Sequence, residues 1–217
     1  MHKKGKSPLM GMPPHRWTGG RVLETARRLN EKCVALVAQT VQANATCSSD
    51  SGIFGIQDLW AQVDARVCER AARCPVLLMD LNFRRPDWWS RLGRGGESPL
   101  AHCAPGMLFS QETVAPLLRE ILIEAWSFAR SMPHAAGFIF GMAPTVSAVI
   151  ANLSVTDIDQ VAASQLPQLR PRWEHSQTFW RRLLESAIGA DEIGLIDVHR
   201  YSLQLLGGEM ALRQGQQ

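Results

Sequence analysis

The sequence is notable first for what is missing. It has no apolar run near the ~20 residues of a membrane span, and no apolar h-region follows the basic N-terminus, so neither a membrane segment nor a secretory signal is expected. Five cysteines are present (Cys33, Cys47, Cys68, Cys74, Cys103), yet none forms a CxxC pair. Structural zinc sites usually carry such a close pair. Cys68 and Cys74 with His102 and Cys103 could in principle converge on a metal, but neither metal nor cofactor is expected. The odd cysteine count and the missing export signal favour reduced thiols and a cytoplasmic location. G-x-S-x-G, Walker, HExxH and Rossmann motifs are all missing, as are repeats and low-complexity arrays. Asp157 and Asp159 lie on different sides of one helix, and each His reads as structural or exposed. The chain is not expected to be an enzyme.

What is present is an ordinary globular composition: 217 residues, 46% hydrophobic, 20% charged, formal net charge +3. Up to Glu112 there are 15 Lys/Arg against 10 Asp/Glu, and beyond it 8 against 10. The excess is densest at Lys3, Lys4, Lys6, Arg16 and Arg21, before the first acid, Glu24. Such an arm suits either a phosphate backbone or a solvated leader.

Residues 1–20 read as an irregular basic tail. Val22, Ala26, Leu29, Cys33, Leu36, Val37 and Val41 recur at helical spacing, predicting a helix over 21–41. A loop over 43–55 follows, then one helix over 56–73 that Pro75 stops. The apolar run Pro75–Phe83 reads as a buried strand or a buried helix turn. Asp80 within it marks either a metal or phosphate site, or a capping or paired carboxylate. Trp88 and Trp89 fit a core cap or an interface anchor. Residues 91–99, rich in Gly, Arg and Ser, read as a connection, which places a linker at 93–109 between domains at 21–92 and 110–208 and leaves 209–217 as a tail.

The second half is strongly helical. Ser110 is expected to cap a helix through Ser131 with Val114, Leu117, Leu118, Ile121, Leu122, Ala125, Phe128 and Ala129 on its apolar face. A helix over 133–140 ends at Gly141, and Pro144 starts another through Asn152. Ser154 and Asp157 form a capping box for a helix to Gln165. Arg170–Trp173 reads as a turn, Ser176–Ile188 as a helix, and Asp191 as the cap of a last helix that Gly207-Gly208 ends. The predicted class is mainly α, with a helical-bundle C-terminal domain and a smaller, mostly helical N-terminal domain holding at most one short strand.

The helix pair Pro144–Asn152 and Val155–Gln165 has helix-turn-helix spacing. Its second helix carries Asp157 and Asp159 and no Lys or Arg, so phosphates repel it, and the pair reads rather as a helical hairpin in a bundle. Arg170, Arg172, Arg181 and Arg182 follow, interleaved with Trp173 and Trp180. That cluster suits a DNA backbone or an acidic partner surface.

Ile121-Leu-Ile-Glu-Ala-Trp-Ser-Phe-Ala-Arg130 and Ala135-Ala-Gly-Phe-Ile-Phe-Gly-Met142 resemble the first helix and the "AxxFxLGI" segment of FlhD, a subunit of the bacterial flagellar master transcription activator. The likeness continues from Ala143 to Leu184 through Ile150-Ala-Asn-Leu153, Ser154-Val-Thr-Asp-Ile158, Val161-Ala162, Leu166, Arg172-Trp173 and Gln177-Thr178. It covers about ninety residues, mostly as hydrophobic spacing. It implies a dimer-forming transcription regulator, an activator of promoter DNA working with a zinc-containing FlhC-like subunit. By resemblance, Gln165, Arg172, Gln177, Thr178 and His199 are candidate DNA or partner contacts. Phe138, with Trp173 and Trp180, is a candidate dimer or partner interface. Leu169 stands where the family has a linking cysteine, so a covalent dimer is not implied. Ile139 stands where the family has an arginine, so that contact is not carried over. The alternative reading is an interaction or assembly factor without direct DNA binding.

Overall fold

The computed structural model describes residues 19–43, 52–92, 108–165 and 168–214. Among these the chain forms ten α-helices and one two-stranded sheet, a mainly α fold. The 22–41 apolar spacing produces α1 (Gly19–Ala43), whose Ala26, Leu29, Cys33, Val37 and Val41 are buried. The basic tail through residue 18, the 44–51 part of the expected loop and residues 93–107 of the expected linker lie outside the described residues.

The single helix expected over 56–73 is instead two. A 3-10 turn at Phe54–Ile56 leads into α2 (Gln57–Trp60), and α3 (Ala65–Ala71) starts afresh. Asp64 explains the break. Its backbone is extended, and its carboxylate accepts the Val67 N–H at 2.8 Å, a side-chain cap that begins a new helix. Trp60 supports the same break by burying its ring and donating Nε1–H to the Ile53 carbonyl at 2.9 Å.

Residues 74–83 are neither a full strand nor a helix turn. Only Met79–Asp80 forms a strand, β1, and it pairs antiparallel with β2 (Arg170–Pro171), which replaces part of the turn expected at 170–173. The remainder runs through the core as irregular chain. Buried backbone groups need partners, and side chains supply several. Asn30 on α1 donates to the carbonyls of Cys74 (3.0 Å) and Val76 (2.9 Å) and accepts the Leu78 N–H (2.8 Å). The Leu77 N–H bonds the Ile139 carbonyl at 2.8 Å. Asp80 lies opposite Arg170 in register and 3.7 Å from Arg172, the paired-carboxylate reading. Then α4 (Pro86–Leu92) buries both Trp88 and Trp89, with Trp89 stacked on Phe83.

The second half follows its pattern closely. In α5 (Gln111–Ser131) the eight buried residues are the eight of the expected apolar face. Ser110 precedes it with extended backbone, but its hydroxyl contacts the Thr113 hydroxyl at 2.8 Å and caps no backbone N–H. α6 (Pro133–Phe140) ends at Gly141 in the left-handed region (φ 62°), and α7 (Pro144–Ala151) begins at proline. The Ser154–Asp157 capping box opens α8 (Val155–Ser164). Ser176 caps α9 (Gln177–Ile188) by accepting the Phe179 N–H.

The last helix, α10 (Glu192–Gln214), runs past Gly207-Gly208 instead of stopping there. Asp191 accepts the N–H groups of Ile193 and Gly194 at its start. Beyond the glycines, Glu209 accepts Trp173 Nε1–H at 2.9 Å and pairs with Arg84. Those tertiary contacts offset the ~1 kcal/mol disadvantage of each helical glycine.

The expected division at 93–109 does not separate two cores. One continuous cluster holds α1, α3 and α4 residues together with those of α5, α7 and α9. α1 packs on α3 and α5, α3 on α9, and α4 on α7. Arg28 and Lys32 of α1 pair with Glu120 and Glu124 of α5. The N-terminal half is thus a layer laid on the C-terminal bundle.

Candidate functional site

The arginine cluster read from the sequence is divided by the fold. Arg172 is 1% exposed. Its Nε donates to the Leu77 carbonyl at 2.9 Å and its Nη2 to the Phe140 carbonyl at 2.7 Å. Its backbone N–H bonds the Leu78 carbonyl at 2.8 Å. The guanidinium therefore fastens the 77–79 segment to the end of α6. Burial pulls its pKa down, while Asp80 at 3.7 Å works against that. Arg172 offers nothing to DNA or to a partner: this is a correction, and its reason is that irregular core backbone needs donors.

Gln165 is also withdrawn, buried at the end of α8. Trp180 is fully buried, 5.6 Å from Trp60, with Nε1–H donated to the Arg172 carbonyl. It is core, not interface. Trp173 is half-buried, packed edge-on against Phe179 at 4.6 Å and committed to Glu209. Its φ of 55° is rare for a bulky residue. His199 is half-buried on α10, and burial together with the nearby Arg73 lowers its pKa against the opposing pull of Glu192. Of the DNA or partner candidates, Arg182, Gln177 and Thr178 stay exposed, and Arg170 and Arg181 partly so. Gln177 donates to the Gly55 carbonyl at 3.0 Å, Arg181 pairs with Glu185 at 3.5 Å, and Arg182 lies over Tyr201.

In the helix-turn-helix look-alike, α7 and α8 each pack on α5 rather than on one another. α8 lies against α5, Asp157 serves the capping box, and Asp159 pairs with Arg119 at 2.7 Å. Across all described residues acids and bases balance. The chain's net +3 belongs to segments outside them, which include Lys3, Lys4, Lys6 and Arg16.

Phe138 stands apart from the other candidates. It lies on the outer face of α6 with 42% of its surface exposed. With Pro133, Met142, Pro144, Leu203 and Met210 it lines an open groove of about 570 Å³ between α6, α7 and α10. Gly137 and Gly207 form part of the lining, and His134 is its one titratable side chain. Met210 is exposed to the same degree as Phe138. Isolated exposed apolar residues are ordinary, but a contiguous patch rimmed by polar groups marks an interaction surface. The sequence singles out Phe138 and places Leu203 on the last helix without assigning it a surface role, while Met210 falls beyond the helix end expected at Gly207-Gly208.

Chemistry is scarce elsewhere. Cys33, Cys68 and Cys74 are buried free thiols whose pKa values are raised by desolvation, so they are not thiolate nucleophiles. Among the described residues no group of three His, Cys, Asp or Glu is arranged to hold a metal ion. No single described helix is long and apolar enough to cross a membrane.

Fold and surface together define a mainly α protein whose clearest outward feature is an apolar groove. No family model, curated protein or solved structure matches the chain.

Proposed function

We propose that this chain is a regulatory subunit of FlhD type that acts by protein association, with promoter DNA held by the assembled complex. The observation that carries the reading is the groove of Phe138, Leu203 and Met210, an apolar surface with no occupant inside the fold. The charge distribution supports it. DNA affinity rests on Lys and Arg that neutralise phosphates, and the described surface offers no excess of them. α8, in the place of a recognition helix, has two carboxylates and no base. A FlhC-like, zinc-containing subunit is the second partner this reading expects. The chain itself carries no catalytic role in it.

The rival reading is direct DNA binding, and it rests on Lys3, Lys4, Lys6 and Arg16 with Arg181 and Arg182. Salt titration separates the two. The purified chain is expected to pass through a DNA column at 50 mM salt and to be retained only with a FlhC-like subunit. Retention of the chain alone, falling about a thousandfold or more in affinity between 50 and 200 mM salt as for six or more phosphate contacts, would establish the rival. A chain that stays monomeric and binds no FlhC-like subunit would sink the proposal itself.

A further inference from the structure

α1 runs antiparallel to α5. Lys32 pairs with Glu120, and Arg28, one turn earlier, with Glu120 and Glu124. From Arg28 back to Gly19 is about 14 Å of helix, and from Glu124 on to Ser131 about 10 Å, so α1 begins nearly level with the end of α5. At that end Ala129 and Pro133 open the groove that Phe138 and Met210 line. α6 lies between the two. Its Ile139 carbonyl bonds the Leu77 segment that Asn30 of α1 holds, and α1 itself touches α6. Pro133, His134, Gly137 and Phe138 of α6 line the groove. Chain preceding Gly19 therefore has one helix to cross, ~10–12 Å wide, before it reaches the groove.

Eighteen residues precede Gly19. Apart from Met1, their large apolar side chains are Leu9, Met10, Met12 and Trp17, and Lys3, Lys4 and Lys6 come before these. Met12 stands seven residues from Gly19 and Leu9 ten. At ~3.3 Å per residue that is a reach of ~23 Å and ~33 Å, enough to cross α6 and follow the groove. The groove matches these residues in kind. It holds about 570 Å³ between walls that include Phe138, Met142, Leu203 and Met210, with no carboxylate to draw the lysines in. Methionines are unbranched and adaptable, so methionine packed against methionine tolerates an irregular fit. Pro13 and Pro14 have a fixed φ, so less chain entropy is lost on docking.

We propose that Leu9, Met10 and Met12 occupy this chain's own groove, and that an associating partner enters by displacing them. The inference rests on the association reading above and adds its regulation. A short tether sets a local concentration in the millimolar range, so a contact with a Kd of about 0.1 mM fills the groove about nine-tenths of the time. The apparent affinity of any other occupant then falls about tenfold. Displacement also frees Lys3, Lys4, Lys6 and Arg16 for phosphates once the partner is bound.

Two measurements on the full chain test this. In the first, photoreactive benzoylphenylalanine replaces Met10 in an equal mixture of isotope-labelled and unlabelled chains, and the irradiated products are mapped by mass spectrometry. Adducts are expected on peptides carrying Phe138 or Met210, within one chain and never between labelled and unlabelled chains. Adducts between chains would put the segment in a second copy, and adducts only on other surfaces, or none, would put it outside the groove. Each of these overturns the proposal. In the second, the apolar dye anilinonaphthalene sulfonate is titrated, with helicity followed by circular dichroism. The triple variant Leu9→Asp, Met10→Asp, Met12→Asp is expected to bind dye about tenfold more tightly than wild type at unchanged helicity. Adding Met210→Asp is expected to abolish that gain. Equal dye affinity in wild type and triple variant would overturn the docked segment, and a gain that survives Met210→Asp would overturn the groove as its seat. Neither measurement needs a FlhC-like subunit, so the association reading is decided separately. The triple variant is expected to bind that subunit about tenfold more tightly. Equal binding would overturn the displacement and remove the groove from the association reading, with the docked segment still standing.

Discussion

Replacing Arg172 by Ala distinguishes an interior fastening from a surface contact, because the two roles move opposite observables. The guanidinium bonds the Leu77 carbonyl at 2.9 Å and the Phe140 carbonyl at 2.7 Å, with the carboxylate of Asp80 3.7 Å away. Losing one member of a buried pair costs about 3–5 kcal/mol. Asp80 is a quarter exposed and regains water, which puts the pair's share at the low end. The two carbonyls lose donors that water does not easily replace, at about 1–3 kcal/mol for each buried group left unsatisfied. These contributions overlap, and a net loss of about 4 kcal/mol is expected, a large fraction of the ~5–15 kcal/mol that holds a typical domain. Arg172→Lys keeps the charge but not the planar fork and should lose about half as much. Urea unfolding followed by tryptophan fluorescence reads the change as a lower midpoint at constant slope. A loss under about 1 kcal/mol for Arg172→Ala would falsify the interior role. If DNA retention of the assembled complex fell at the same time, Arg172 would be a contact after all.

Asn30→Ala removes three buried hydrogen bonds to the 74–78 segment and should cost about 2–4 kcal/mol, read by the same unfolding curves. A near-neutral result would mean that the segment has other partners. Gly141→Ala is strained twice: φ is 62°, and the new Cβ would sit 2.5 Å from Arg172 Nη1 and 2.8 Å from Leu206 Cδ1. A melting temperature at or above wild type would contradict that geometry. Gly208→Ala meets open space and should stabilise by about 0.5–1 kcal/mol through helix propensity; destabilisation would show that α10 does not continue there. His199 has a lowered pKa in the folded protein, so its neutral form is the folded one. Its contribution is present above its unfolded value of ~6.5 and is lost as pH falls from there through the folded pKa. His199→Gln should therefore flatten the stability profile just below pH 6.5, and an unchanged slope would remove His199 as its source.

How much was legible in the sequence follows how local each cause is. The helices over 110–165 and 176–188 were readable because their determinants lie within a turn of one another. These are the apolar spacing of α5, the prolines opening α6 and α7, the left-handed glycine at 141 and the Ser154–Asp157 box. The broken 56–73 helix was misread although its signal, Asp64 three residues before Val67, was present. The groove was half visible, through Phe138 and the Leu203 and Leu206 positions of the last helix, but Met210 fell outside because two glycines read as a terminus when glycine is weighed by propensity alone.

The sequence by itself determined the class, mainly α, and the inward faces of its helices, because hydrophobic periodicity and capping act over three or four residues. Tertiary structure decided everything that depends on residues distant in the chain. It alone paired 79–80 with 170–171, drew Asn30 and Arg172 onto the irregular 74–79 backbone, and carried α10 past Gly207-Gly208 to Glu209. It also separated the four arginines, leaving Arg181 and Arg182 at the surface and taking Arg172 inside. Type and spacing do not reveal which buried carbonyls lack donors. That shortage appears only once the chain is packed, and here it took the arginine that composition had assigned to a surface.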